Sequence, residues 1–285
     1  MSVLRIGPRE FTWGTRTFVM GIINVTPDSF SGDGLLGPDA SLHDERAAVE
    51  QAERMAAEGS DILDIGGESS RPGHSPVGVE EEVARVIPAV RAIRAALPEM
   101  PLSIDTTKAA VASAALDAGA NLINDVWGVD PEPDLLRLAA ARGTPLVLMH
   151  NRAEARYADV VAEVVAELRR AVSRALEAGI ESTAILVDPG IGFGKTPAHN
   201  LSLLHDLGAL RVLGHPLLLG TSRKSTIGHV LDLPPDERLE GTLATTALGI
   251  AAGVDVVRVH DVGANVRVAR MSDAIVRRRN EGEGR

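Results

Sequence analysis

The 285-residue chain has no cysteine, which removes disulfides, thiolate nucleophiles and Cys–zinc sites. Aromatic residues make up only 2%, so a core must be built from Val, Leu, Ile and Ala. No apolar run reaches the ~18 residues of a membrane span. The N-terminus has no basic segment leading into an apolar stretch, so no signal peptide is expected and a cytoplasmic protein is. Positive charge is also short. A formal charge of −10 argues against nucleic acid as a partner, and any anion site must be local. None of the eight histidines stands at H-E-x-x-H or a similar metal-ligand spacing. Lysine is scarcest among the charged residues. Of 29 basic side chains only Lys108, Lys195 and Lys224 are lysine, and each lies near the end of an apolar run. Lysine is a compact point charge with a movable pKa, whereas arginine is a planar five-donor fork, so the positions that keep lysine are candidates for lysine chemistry. Lys224 is the strongest of them, and Lys108 reads as a surface residue at a helix start.

What is present is an alternation. Short aliphatic runs at 18–23, 61–65, 101–104, 121–124, 145–149, 184–187, 216–219 and 255–259 are rich in Val, Ile and Leu without clear alternation. Parallel strands buried on both faces look like this. Between them lie Ala/Arg/Glu-rich helical stretches at 41–58, 80–96, 108–118, 132–141, 158–178, 197–204, 240–252 and 264–278. Gly59, Gly119, Gly143, Gly179 and Gly253 stand where left-handed C-caps are needed, and Thr196-Pro197 reads as an N-cap followed by proline. Eight β-then-α units predict a single (β/α)8 TIM barrel. An open doubly wound sheet is the rival, but the turn after the first strand, Asn24-Val-Thr-Pro-Asp-Ser-Phe30, carries no dinucleotide fingerprint. Residues 1–17 form an N-terminal extension, predicted as a β-hairpin around Gly14 that plugs the barrel bottom. The barrel then spans 18–279, and 280–285 is a charged tail.

Polar residues gather after the strands, where barrels of this kind build their active sites. They are Asn24; Gly66-Gly-Glu68-Ser-Ser70-Arg71; Asp105-Thr-Thr; Asn124-Asp125; Met149-His150-Asn151; Asp188 through Lys195; Gly220-Thr-Ser-Arg-Lys224-Ser225; and Arg258-Val-His260-Asp261. Asp64 and Asp125 read first as buried structural carboxylates. His150 reads as a donor to a backbone carbonyl, Glu68 as a possible brace for its turn, and Thr106-Thr107 as a helix cap. The run Gly190 to Thr196 resembles a phosphate loop but fails that template, because its first glycine would fall on Pro189. Two clusters remain. Arg71, Arg258, His260 and Lys224, with Asn24 nearby, suit a phosphate. Asp105, Asn124 and Asp188 suit the N–H edge of a flat heterocycle. Together they read as a site for a nitrogen heterocycle joined to phosphate or diphosphate.

With these motifs in order, the chain resembles the dihydropteroate synthases, the pterin-binding barrels of folate biosynthesis, over nearly its whole length. The resemblance rests on Met20–Phe30, Asp64–Gly73, Ser103-Ile-Asp105-Thr, Ile123-Asn-Asp125, Leu148-Met-His150, Asp188–Phe193, Gly220–Ser225 and Arg258-Val-His260-Asp261. It implies condensation of 6-hydroxymethyl-7,8-dihydropterin diphosphate with 4-aminobenzoate, releasing diphosphate. It also implies that Asp105, Asn124 and Asp188 hold the pterin edge, with Met149, Gly220 and Lys224 beside the ring. Asn24, Ser70, Arg258 and His260 would take the diphosphate, Asn24 touching Mg2+. Phe193, Lys224, Ser225, Arg71 and the loop around Phe30 would complete the amine pocket. A homodimer and a sulfonamide target are implied as well. One departure stands out: where the family usually has Ser-Asp-Gly-Gly, this chain has Ser31-Gly32-Asp33-Gly34. Asp33 is expected to take the displaced role, since glycine on both sides frees the backbone. A pterin-dependent methyltransferase would share the pterin-holding Asp and Asn, but it would not need Arg258, His260 and the Ser222–Ser225 turn. A non-catalytic paralogue has only the loop change in its favour.

Overall fold

The computed structural model describes residues 2–25, 42–68 and 77–277. Two short strands, β1 (Val3–Ile6) and β2 (Arg9–Thr12), pair antiparallel. Eight more follow: β3 (Phe18–Asn24), β4 (Ile62–Gly66), β5 (Leu102–Asp105), β6 (Leu122–Asp125), β7 (Leu146–Met149), β8 (Ile185–Asp188), β9 (Leu218–Leu219) and β10 (Val256–Val259). They are hydrogen-bonded in the order β8-β7-β6-β5-β4-β3-β10-β9. A parallel bridge from Val187 to Leu217 joins the two ends, so the sheet closes into a barrel. Around it lie α1 (Leu42–Ala57), α2 (Val79–Ala96), α3 (Ala109–Ala118), α4 (Pro133–Arg142), α5 (Val160–Glu177), α6 (Pro197–His205), α7 (Ser225–Leu231), α8 (Leu239–Ala251) and α9 (Val262–Val276). All eight predicted strands and all eight predicted helices are present. The short α7 and a 3-10 stretch at Leu207–Leu213 are additional.

Local chemistry explains the elements. Helix α5 buries Val160, Val164, Leu168, Ala171, Val172 and Ala175, one apolar stripe at helical spacing. Its N-cap Asp159 accepts from the backbone N–H groups of Val161 and Ala162. Thr196 caps α6 in a reciprocal box with His199. The five glycines expected at helix ends all have positive φ, from +59° at Gly143 to +115° at Gly119.

The core has two parts. One fills the space between barrel and helices. The other joins the hairpin's Leu4, Ile6, Phe11 and Trp13 to Phe18, Met20, Ile62, Leu122, Val147, Leu186, Leu218 and Val256 of the strands. The hairpin thus stoppers the lower end of the barrel, as expected. Its turn is corrected: the chain reverses at Gly7-Pro8 rather than at Gly14, because the strands pair Ile6 with Arg9. Each large side chain buried there contributes about 1.5–3 kcal/mol. Register does the rest for the site. Asn24, Gly66, Asp105 and Asn124 are consecutive cross-strand partners, so they form one row at the upper rim. Met149 pairs with Asp188 at the same end. Among the described residues no helix is long and apolar enough to cross a membrane.

Candidate active site

Arg258, read with the cationic cluster, reaches into the acceptor cluster. Its Nε donates to Asp64 at 2.6 Å and its Nη2 to Asp105 at 2.6 Å. Burial works against the guanidinium charge, but Asp64 and Asp105 outweigh it and raise its pKa. Asp64 is fully buried and also accepts from Asn124 Nδ2 at 3.0 Å. A carboxylate must accept, so the amide nitrogen of Asn124 faces Asp64 and its carbonyl oxygen is left for a ligand. Asp64 therefore orients a site residue, which its reading as a structural carboxylate did not capture. Sequence spacing could not have found this, since the contact crosses sixty residues.

Asp188, nearly buried, uses one oxygen to accept from Gly190 N at 2.7 Å. Burial raises its pKa, and Lys224, the Gly190 N–H and Arg258 act in the opposite sense. Burial likewise raises Asp105, against the pull of Arg258 and with Asp64, Glu82 and Asp125 adding to it. Lys224 donates to the Ile191 carbonyl and stands 4.4 Å from the Phe193 ring centroid. Burial pulls its pKa to about 8, Asp188 acting to keep it charged and Arg258 to discharge it. Gly220 faces the space between these groups: a Cβ there would lie 3.7 Å from Lys224 Nζ and 3.9 Å from Asp188 Oδ2. His260 follows Arg258 by two residues, and its Nδ1 lies 2.9 Å from Ser222 Oγ. Ser225 opens α7 and is exposed, and Met149 is buried beside Asp188. Asn24 ends β3 on the rim. Asp33, Ser70 and Arg71 lie outside the described residues.

Three expectations are corrected. Lys108 is no surface residue. It bridges Glu68 and Glu82, the latter at 2.6 Å and fully buried, because the N-terminus of α3 packs against the start of α2. Burial opposes its charge, yet the two carboxylates prevail and its pKa rises. His150 does not donate to a carbonyl: its Nε2 meets Glu167 Oε2 at 2.9 Å and its Nδ1 meets Lys195 Nζ at 2.9 Å. Thr106 does not cap α3 by itself. Lys108 is the N-cap, and Thr106 Oγ1 accepts that residue's N–H at 3.2 Å. Asp125 is buried as expected, accepting from Trp127 N at 2.9 Å, and burial pushes it up to about 7. Lys195, at the end of the polar run that begins with Asp188, lies at the edge of this site with its pKa lowered to about 7 by burial.

The mouth thus offers three acceptors, on Asp105, Asn124 and Asp188, facing cations on Lys224 and Arg258. Such a set binds a flat heterocycle by its N–H edge and an anion beside it. That is the class of the pterin-binding barrel enzymes, and the family model for pterin binding enzymes matches residues 20–260. The chain is 48% identical over 276 residues to a dihydropteroate synthase of Clostridium beijerinckii, covering 96% of this chain and all of the relative. Its fold superposes with a TM-score of 0.89 on a Clostridium difficile dihydropteroate synthase solved in the presence of pteroic acid, at 45% identity over 94% of this chain and 100% of that one. A Xanthomonas albilineans dihydropteroate synthase with 4-aminobenzoic acid gives the same score, at 42% identity over 96% of this chain and 98% of that one. The chain belongs to the pterin-binding enzyme family, within its dihydropteroate synthases, and is a transferase.

Proposed function

We propose a division of labour for the synthase reaction, in which a dihydropterin diphosphate and 4-aminobenzoate give 7,8-dihydropteroate and diphosphate. Asp105, Asn124 and Asp188 accept from the pterin edge, with Met149 and Lys224 against the ring and Gly220 leaving it room. Arg258, His260, Asn24 and Ser70 receive the diphosphate. Phe193, Lys224 and Ser225 wall the amine pocket, and Asp33 and Arg71 complete it. The observation that carries this reading is Asp64 turning the Asn124 carbonyl outward between Asp105 and Asp188, since a row of acceptors fits the donor edge of a pterin.

As the C–O bond breaks, negative charge collects on the departing diphosphate, and Arg258 and His260, two residues apart at the end of β10, are the groups assigned to stabilise it. The weakly basic aromatic amine forms its C–N bond as the C–O bond breaks, and the proton it sheds passes to water or to the released diphosphate. Mg2+ fits this donor set in one way. Asn24 supplies a single neutral oxygen, and among the described residues no three His, Asp or Glu converge to hold a metal. A hard ion with waters of its own, carried in on the diphosphate, suits such a site. When bound it neutralises charge on the leaving group.

The proposal includes a homodimer, a cytoplasmic location and a site of the kind that sulfonamides target. The dimer has a surface to support it: Leu248 on α8 and Met271 and Ile275 on α9 are 69%, 63% and 60% exposed on adjacent helices. Light scattering on the eluted protein measures it directly. The reaction is tested by following diphosphate release with each substrate alone and with both. Release that requires both, with dihydropteroate formed, is expected. No release with both overturns the reading.

A further inference from the structure

Two of the three lysines grip one loop from different sides. The loop leaves β8 at Asp188, carries Phe193, and ends at Thr196 where α6 begins. Lys224 holds it at the Ile191 carbonyl and under the Phe193 ring. Lys195 holds it from within. Its Nζ donates to Phe193 O at 2.9 Å, to Gly190 O at 3.0 Å and to His150 Nδ1 at 2.9 Å, with His150 O farther off at 3.3 Å. In its protonated form Lys195 has three N–H bonds, and the three short contacts use all of them.

The backbone is shaped for this. Gly190 and Gly194 have φ of +68° and +55°, which only glycine takes without strain. A Cβ at Gly190 would stand 1.8 Å from His150 O, and one at Gly194 would stand 2.2 Å from Arg152 O. The loop therefore lies directly on residues 150–152. Beneath it the anchor is rigid. His150 is fully buried, and burial together with Lys195 lowers its pKa to about 4. It is neutral, donating from Nε2 to Glu167 and accepting from Lys195 at Nδ1. Glu167 is fixed in turn by Arg152, and Tyr157 donates to Gly194 O at 2.9 Å.

We propose that Lys195 is a positioning residue for the amine half of the site: one ammonium gathers Gly190, Phe193 and His150, and so sets where the Phe193 ring stands against the incoming 4-aminobenzoate. This rests on Phe193 walling the amine pocket. It also explains why lysine is kept here in a chain that otherwise writes arginine. Three acceptors converge on one point, which a tetrahedral ammonium can serve and a longer planar guanidinium cannot.

The test is steady-state kinetics on Lys195→Met, which keeps the stem and removes the donors. The KM for 4-aminobenzoate should rise at least tenfold, while the KM for the pterin diphosphate and kcat at saturating amine stay within threefold. Lys195→Arg, which keeps a charge and donors, should raise the amine KM at least fivefold, and it carries the test if the methionine variant does not fold. An unchanged amine KM overturns the proposal, and so does an equal loss of pterin affinity, since Lys195 would then hold the whole loop without selectivity. If wild-type protein makes no dihydropteroate, the functional reading falls and this proposal with it; an active wild type with an unaffected variant sinks the lysine alone.

Discussion

The two ends of this barrel handle polar groups in opposite ways. At the lower end charges are matched. Arg16 donates to both oxygens of Asp61, and Asp61 also takes the N–H of Val19. Asp273 takes both donors of Thr17, and Arg94 fills the carbonyls of Gly119 and Met100 and the amide oxygen of Asn121. The hairpin's Phe11 and Trp13 stack on each other, meet Phe18 tilted and edge-on, and seal the end, with Trp13 Nε1 the one buried donor left unbonded there among the described residues. At the upper end Asp64, Glu82 and Asp125 each keep a buried carboxylate oxygen without a partner. An unmet buried polar atom costs about 1–3 kcal/mol. A fold keeps several in one place when the mouth is shaped for something other than stability.

That contrast can be broken at the lower end first. Phe11 is 2% exposed in the stopper. Phe11→Ala should cost about 3–5 kcal/mol, read by urea unfolding, through lost transfer energy and a cavity. The kinetic constants of the folded fraction should not move. A parallel fall in kcat would mean that the stopper shapes the mouth.

Next in size is a pair of arginines, one at each end. Arg258→Ala should lower kcat by about 10²–10³, the usual cost of removing one stabiliser of developing charge. It also strips Asp64 and Asp105 of their cation, so stability should fall as well. Arg16→Ala breaks an ion pair whose arginine is half exposed, and should cost about 1 kcal/mol with no change in rate. If Arg258→Ala unfolds more easily yet turns over normally, Arg258 belongs to the fold and the diphosphate is held elsewhere.

The stopper was legible in the sequence as an extension before the first strand, and the mouth as polar residues at strand ends. Both signals are local: runs such as Leu146–Met149 announce a strand buried on both faces, and Gly143 announces the helix end before it. The turn of the hairpin was misplaced because Gly7 and Gly14 look alike until the partner strand is known. Helix α7, at seven residues, is too short for its period to register. What could not be read is pairing across units. Lys108 looked like a surface residue because Glu82 lies 26 positions away on another helix. His150 found Glu167 and Lys195 rather than a carbonyl for the same reason. Sequence names the groups at the mouth, and only packing tells which of them neutralise one another.

A smaller effect is expected from a change confined to ligand recognition. Asp188→Asn preserves shape but presents a donor to the pterin edge. Losing a charged hydrogen bond costs about 1.5–3 kcal/mol. Calorimetry with a pterin ligand should therefore show at least tenfold weaker binding. Thermal stability should change little, because the remaining oxygen still accepts from Gly190 N. Unchanged affinity would leave the acceptor row without its outer member.

The subtlest test asks whether an unpartnered carboxylate at the mouth is a standing cost. Asp125 keeps one oxygen bonded to Trp127 N–H and the other unbonded, and burial raises its pKa to about 7. The folded protein therefore holds a proton on Asp125 between about pH 4 and 7 that the unfolded chain has released. The contribution of Asp125 to stability therefore falls as pH rises through that window and levels off above it, at most about 1.4 kcal/mol per pH unit. Asp125→Asn removes the titration. Its new amide hydrogens lack a partner at every pH, so that cost cancels when the two pH values are compared. Relative to wild type, the variant should thus gain about 2 kcal/mol between pH 5 and pH 8 in urea unfolding. Asp61→Asn at the lower end should instead cost stability outright, because it breaks the ion pair with Arg16 and weakens the acceptor of the Val19 N–H. A flat difference for Asp125→Asn would mean that the mouth compensates this carboxylate as fully as the lower end does its own, and the contrast between the two ends would not hold there.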